Sequence, residues 1–118
     1  MPLTIQEQLE IRALRGSFAV AANRRNFDQF AAIFAGDGIW HIPDMHAEFR
    51  GRAVVRGGIE HMLGLWEVFV QTTHDGVVEG DAIHATGRAY ISEIGRFRAG
   101  GSQLNDAVYQ DVLYLPKA

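Results

Sequence analysis

The chain reads as an α+β protein, with three N-terminal helices packed on a curved, mainly antiparallel sheet. Three observations point there. Apolar residues recur at helical spacing as far as Trp66 and at strand spacing from Val68 onward. Two breaks, Glu79-Gly80-Asp81-Ala82 and Ala99-Gly100-Gly101-Ser102, cut the second half into three long runs. The 118 residues, 47% of them apolar, suit one core and a single domain spanning 1–118. Helices followed by long antiparallel strands are the order in which a sheet packs its apolar face on helices.

Each element has its own signal. Thr4-Ile5-Gln6-Glu7 is a capping-box pattern that starts a first helix, and Ile11, Leu14, Phe18 and Ala22 give it one apolar face. Asn26 caps a second helix, whose stripe is Phe27, Phe30, Ala31 and Phe34 and whose end is Gly36. Gly38 to Pro43 is a short strand, and Asp44 to Arg52 is irregular. A third helix carries Val55, Ile59, Met62 and Trp66 on one face, with Gly57 and Gly58 weakening its start. Strands are expected at about 68–79, 82–98 and 104–115.

Strand faces follow from the first hairpin. With Gly80 and Asp81 as a two-residue loop, Glu79 opposes Ala82, Gly76 opposes Ala85, His74 opposes Gly87 and Thr72 opposes Ala89. Val70, Thr72, His74, Gly76, Val78, Ile83, Ala85, Gly87, Ala89 and Ile91 then form the core face. Gln71, Thr73, Asp75, His84, Thr86, Arg88, Tyr90 and Ser92 face outward. His74 is thereby the ionisable group of an otherwise apolar face, and Gly87 and Ala89 beside it leave room for a cavity. A one-residue change of register turns His74 outward. On the last strand Ala107, Tyr109, Asp111, Leu113 and Leu115 are taken as inward, so Asp111 and Tyr109 share the His74 face two strands away.

This order of elements resembles the NTF2-like superfamily of cystatin-like α+β half-barrels, and more closely its SnoaL-like branch, which is similar to scytalone dehydratase. The residues that carry the resemblance are NRRNFDQFAAIFAGDGIWHIP (23–43), FRGR (49–52), QTTHDGVVEGDAIHATG (71–87) and YQDVL (109–113). The resemblance implies a cone-shaped pocket between sheet and helices. It also implies a function among dehydratases, isomerases, cyclases, hydrolases or non-catalytic binders. Catalytic branches place a histidine at the start of the first long strand, here His74, and an aspartate where the first two helices meet. That letter is Asn23 here, after Ala22 where dehydratases can have tyrosine. The second dehydratase histidine would fall near Ser92 and the isomerase carboxylate near Ile42, so both are missing. Family chains run on to a strand with a Gly-x-Trp turn. This one stops at Leu115-Pro116-Lys117-Ala118, so either the sheet is shorter or a partner covers its edge.

The candidate catalytic residues are therefore His74, as general acid/base, and Asp111, which could orient it; an ordinary histidine titrates near pH ~6.5. The other readings are a hydrogen-bonded core histidine and a solvent-facing aspartate. Candidate pocket residues are Asn23, Trp40, Thr72, Gly87, Ala89 and Tyr109. Asn23 equally suits a helix C-terminal cap, and Trp40 suits the core. His41, Asp44 and His46 form H-x-x-D-x-H, a set of metal-ligand types without a known metal spacing, and no metal or cofactor is expected. His61 and His84 read as surface residues.

Bulk composition excludes several classes. Net charge is −3, and every basic residue except Lys117 is a scattered arginine, so nucleic acid and anionic membrane are not expected partners. The absence of cysteine removes disulfides and thiolate chemistry. The N-terminus has no secretion-signal pattern and no run is long enough to cross a bilayer, so a cytoplasmic location is expected. The expected partners are a small apolar or cyclic molecule and a second copy, paired through the outward sheet face around Gln71, Thr73 and Tyr90. The function read here is a cofactor-independent lyase or isomerase using His74, or else a non-catalytic ligand-binding or dimerisation module of the same fold.

Overall fold

The computed structural model of the chain describes residues 2–81 and 85–113, with side chains described as far as Val108 except that of Asp44. Helix α1 spans Ile5–Asn23, α2 Phe27–Ala32, strands β1 Ile39–Ile42 and β2 Ala47–Arg50, α3 Arg52–Gly64, β3 Trp66–Gly80, β4 Ala85–Phe97 and β5 Ser102–Leu113. The last three form an antiparallel sheet in the order β3-β4-β5, while β1 and β2 pair as a separate hairpin. The large sheet is open, with β3 and β5 as its edges. This is the half-barrel expected from the sequence.

The capping box is complete. Thr4 Oγ1 accepts from the Glu7 N–H at 3.1 Å, and the Thr4 N–H donates to Glu7 Oε1 at 2.9 Å. The other end of α1 is closed by Arg25, in the left-handed region at φ 56°. That conformation costs a non-glycine residue on the order of 1 kcal/mol. Here the guanidinium offsets it by donating to the carbonyls of Leu63 (2.5 Å) and Trp66 (2.8 Å), which fixes the end of α3 and the start of β3.

Helix α2 ends at Ala32, earlier than Gly36. The Ile33 and Phe34 N–H groups bond back three residues, to Phe30 and Ala31, so the helix tightens at its last turn. The segment expected to be irregular holds β2, which pairs along β1 from Ile42↔Ala47 to Ile39↔Arg50. Its four-residue strands are too short to show a period. On α3 the buried seam is Val55, Ile59 and Leu63 rather than Met62 and Trp66, because the helix stops at Gly64 and Trp66 opens β3. Gly58 is there for Phe49: a Cβ at Gly58 would lie 2.6 Å from the ring.

The core lies between the helices, the small hairpin and the start of β3. Ala21, Ala22, Phe30, Trp40, Val55, Ile59 and Leu63 are buried together, with Phe18, Phe34 and Phe49 packed against them. Ring centroids are 4.5 Å apart for Phe18–Phe30, 5.3 Å for Phe30–Trp40 and 5.3 Å for Trp40–Phe49. Burying each large side chain of this set stabilises the fold by about 1.5–3 kcal/mol.

Candidate ligand site and the outer sheet face

Helix α1 lies along the free edge of β3 and supplies its missing hydrogen-bond partners. Asn23 Nδ2 donates to the Gln71 carbonyl at 2.9 Å, and the Gln71 N–H donates to Asn23 Oδ1 at 2.7 Å. One amide side chain thus imitates a paired strand residue. Arg15 donates to the Val77 carbonyl at 2.9 Å, and Arg12 to the Gly76 carbonyl at 3.3 Å and to the Asp75 carboxylate. Asp75 also accepts from the Gly76 N–H at 2.9 Å. That bond, then the Arg12 charge, holds its carboxyl below the usual range. Exposed strand edges invite pairing with other chains, and α1 removes that hazard.

The same stretch of β3 holds a β-bulge. Thr73 pairs with Ile91 and Gly76 with Ala89, so His74 and Asp75 together oppose Tyr90. Gly76 presses on β4 here: a Cβ on it would lie 2.0 Å from the Arg88 carbonyl oxygen, so no other residue fits. The first hairpin also differs from expectation. Among the described residues its innermost pair is Gly80↔Ala85, and Glu79 pairs with Thr86. A four-residue slip keeps each side chain on its face, so Gly76, Ala85, Gly87 and Ala89 stay inward. The bulge does not. Ahead of it Gln71 and Thr73 turn inward, and Val68, Val70, Thr72 and His74 are exposed on the outer face.

The expected inward position of His74 is therefore corrected, as are those of Thr72, Gln71 and Thr73. His74 Nε2 lies 2.9 Å from Ser92 Oγ, and Ser92 Oγ donates to Asp106 Oδ1 at 2.8 Å. The hydroxyl has one proton and gives it to Asp106, so the imidazole donates through Nε2. His74, Ser92 and Asp106 form a polar chain across three strands. Exposed apolar side chains flank it: Val70, Tyr90, Ile94, Leu104 and Val108. A shallow depression of about 460 Å³ is lined by Val68, Ile94, Arg96 and Leu104 of this face together with Gly95, Ser102 and Gln103.

Asp111 is paired with Gly87 and Tyr109 with Ala89. The register fixes the positions of their backbones, and their side chains lie outside the described residues. It also separates Asp111 from His74. His74 opposes Tyr90, three residues or ~10 Å along β4 from Gly87, the backbone partner of Asp111. Trp40 belongs to the core, its ring between Phe30 and Phe49. Gly87 and Ala89 are buried on the inner face. His41, His46 and His61 are exposed, and no three metal-ligating side chains meet among the described residues. Ile83 and His84 lie outside the described residues. No described helix is long and apolar enough to cross a membrane.

One inward group was missed. Glu93 Oε2 accepts from Gln71 Nε2 at 3.0 Å, and Glu93 Oε1 accepts from Asn105 Nδ2 at 3.0 Å. The signal was present in the alternation, since Glu93 follows Ala89 and Ile91 on the inward set.

A family model described as a SnoaL-like domain matches residues 4–115. No functionally curated protein matches the sequence. Among solved structures, the chain is similar to a protein of unknown function with a cystatin-like fold from Nostoc punctiforme, at 22% identity and TM-score 0.81, covering 95% of this chain and 82% of that one. It is also similar to a candidate scytalone dehydratase from Novosphingobium aromaticivorans, at 14% identity and TM-score 0.83, covering 95% and 76%. A type 2 hexachlorocyclohexane dehydrochlorinase, LinA, matches at 18% identity and TM-score 0.84, covering 96% and 80%. At these identities the likeness establishes the fold.

Proposed function

The chain belongs to the SnoaL-like domain family, and from that premise we propose that it is a small-molecule-binding member that dimerises through its outer sheet face, rather than a His74-dependent lyase or isomerase. The carrying observation is the bulge between Thr73 and Gly76, which leaves His74 on the outer face beside Ser92 and Asp106. The other position of the family's catalytic pattern, Asn23, is engaged with the β3 backbone. The ligand, a small apolar or cyclic molecule, lies between sheet and helices against Ala85, Gly87, Ala89 and Ile91.

The outer face supports the dimer. Tyr90 is 60% exposed, Ile94 58% and Leu104 70%, around a polar centre of His74, Ser92 and Asp106. Apolar groups mixed with hydrogen-bonding ones make the kind of patch that associates without being obligate. Of the interface residues expected from sequence, Tyr90 is on this face, while Gln71 and Thr73 point the other way.

The test pairs sedimentation equilibrium with a turnover screen. Ile94→Lys should convert the dimer to monomer at micromolar concentration. His74→Ala should leave binding of the fluorescent probe 2-naphthol within about twofold of wild type. Elimination from a cyclic hydroxyketone or a chlorinated cyclohexane at a rate abolished in His74→Ala would overturn the reading and restore the enzymatic one.

A further inference from the structure

Gln71, Glu93 and Asn105 are register partners on three adjacent strands, so they form one row straight across the inner face. The rows on either side are Thr73–Ile91–Ala107 and Phe69–Gly95–Gln103. A carboxylate thus stands on a face made largely of small and apolar residues, held from β3 by one amide and from β5 by another. Gln71 is itself 4% exposed, and Asn23 fixes its backbone. The chain of contacts runs from the end of α1 through all three strands and sets the position of Glu93.

An ionised carboxylate offers about four acceptor positions, and the two amides fill one on each oxygen. The remaining positions can take a ligand. Access is available too. Phe69, Thr73, Glu93, Asn105 and Ala107 are half-buried, whereas Ala89, Ile91 and Gly95 are buried. The carboxylate therefore sits where the inner face opens toward solvent.

We propose that Glu93 is the polar anchor of the inner-face site and takes a ligand with a hydroxyl on an apolar ring, of the phenol class. This rests on the small-molecule reading above. A neutral hydroxyl donor suits the site. A cation would lose its hydration against apolar walls, and an anion would be repelled. A hydrogen bond to a charged acceptor is stronger than one to a neutral acceptor, and losing it leaves the donor buried without a partner.

The experiment is a fluorescence titration of wild type and Glu93→Gln with 2-naphthol, 2-methoxynaphthalene and 2-naphthoate. Wild type should bind the naphthol about tenfold or more tighter than the ether, and the naphthoate weakest. In Glu93→Gln the naphthol and the ether should fall within about twofold. Equal affinity of wild type for naphthol and ether overturns the anchor whether or not the variant folds, and leaves the pocket standing. Binding of none of the three overturns the pocket as well.

Discussion

Replacing Asn23 by the aspartate that the family resemblance implies should destabilise this protein. Asn23 meets one donor and one acceptor, the N–H and carbonyl of Gln71, at 2.7 and 2.9 Å. Each such bond contributes about 1 kcal/mol net. Asn23→Asp keeps the first and strengthens it through charge, but sets a carboxylate oxygen against the carbonyl. A carbonyl left without a donor costs about 1–3 kcal/mol. The balance is a loss of about 1–2 kcal/mol, similar to Asn23→Ala, which loses both bonds. For a chain of this length that lowers the melting temperature by about 4–8 °C.

The deficit has a pH signature. A protonated carboxyl can donate to the carbonyl, so folding raises the carboxyl pKa of Asn23→Asp above the unfolded value of ~3.9. A group raised in the folded state contributes stability that is present below the unfolded pKa and lost as pH rises through the folded one. The deficit should therefore shrink from pH 7 toward pH 4, relative to wild type melted in the same buffers. Asn23→Asp melting with wild type at pH 7 would refute the reasoning, because the amide would then not be serving both backbone groups.

Two further outcomes follow from the bulge. Gly76→Ala drives a methyl group into the Arg88 carbonyl, 2.0 Å from its ideal position, and should cost at least ~2 kcal/mol by urea denaturation. In an NMR titration the Asp75 carboxyl should titrate below the ordinary carboxylate range, and Arg12→Ala should move it up. Because its pKa is depressed, its contribution is present above the unfolded value of ~3.9 and lost as pH falls through the folded one.

The helices, the order of elements and the open sheet were legible because each rests on a local signal several residues long, such as the Thr4–Glu7 box or the alternation of Ala85 to Ile91. The short hairpin was not, because Ile39–Ile42 and Ala47–Arg50 are too brief to show a period. The site was read only in part, for one physical cause. Face assignment was carried from the Gly80 turn through Gly76 to His74 as if alternation were unbroken, and the bulge breaks it between those two residues. Gly76 in the middle of a strand was the available sign. Glu93 was within reach of the same alternation, and its amide partners came into view only with the cross-strand register.

The bulge also makes β3 a strand with two parities. From Val68 to Thr73 the odd-numbered residues enter the interior, and behind the bulge the even-numbered ones do. If Val68–His74 slid one residue along β4, every side chain of that stretch would change compartment, with no letter of the sequence altered. His74 would enter the pocket, and Gln71 would leave Glu93. In a fold built this way, descent can preserve a histidine in its aligned column while geometry decides whether it meets a substrate or a sister subunit. In this chain the bulge turns that histidine out, away from the interior.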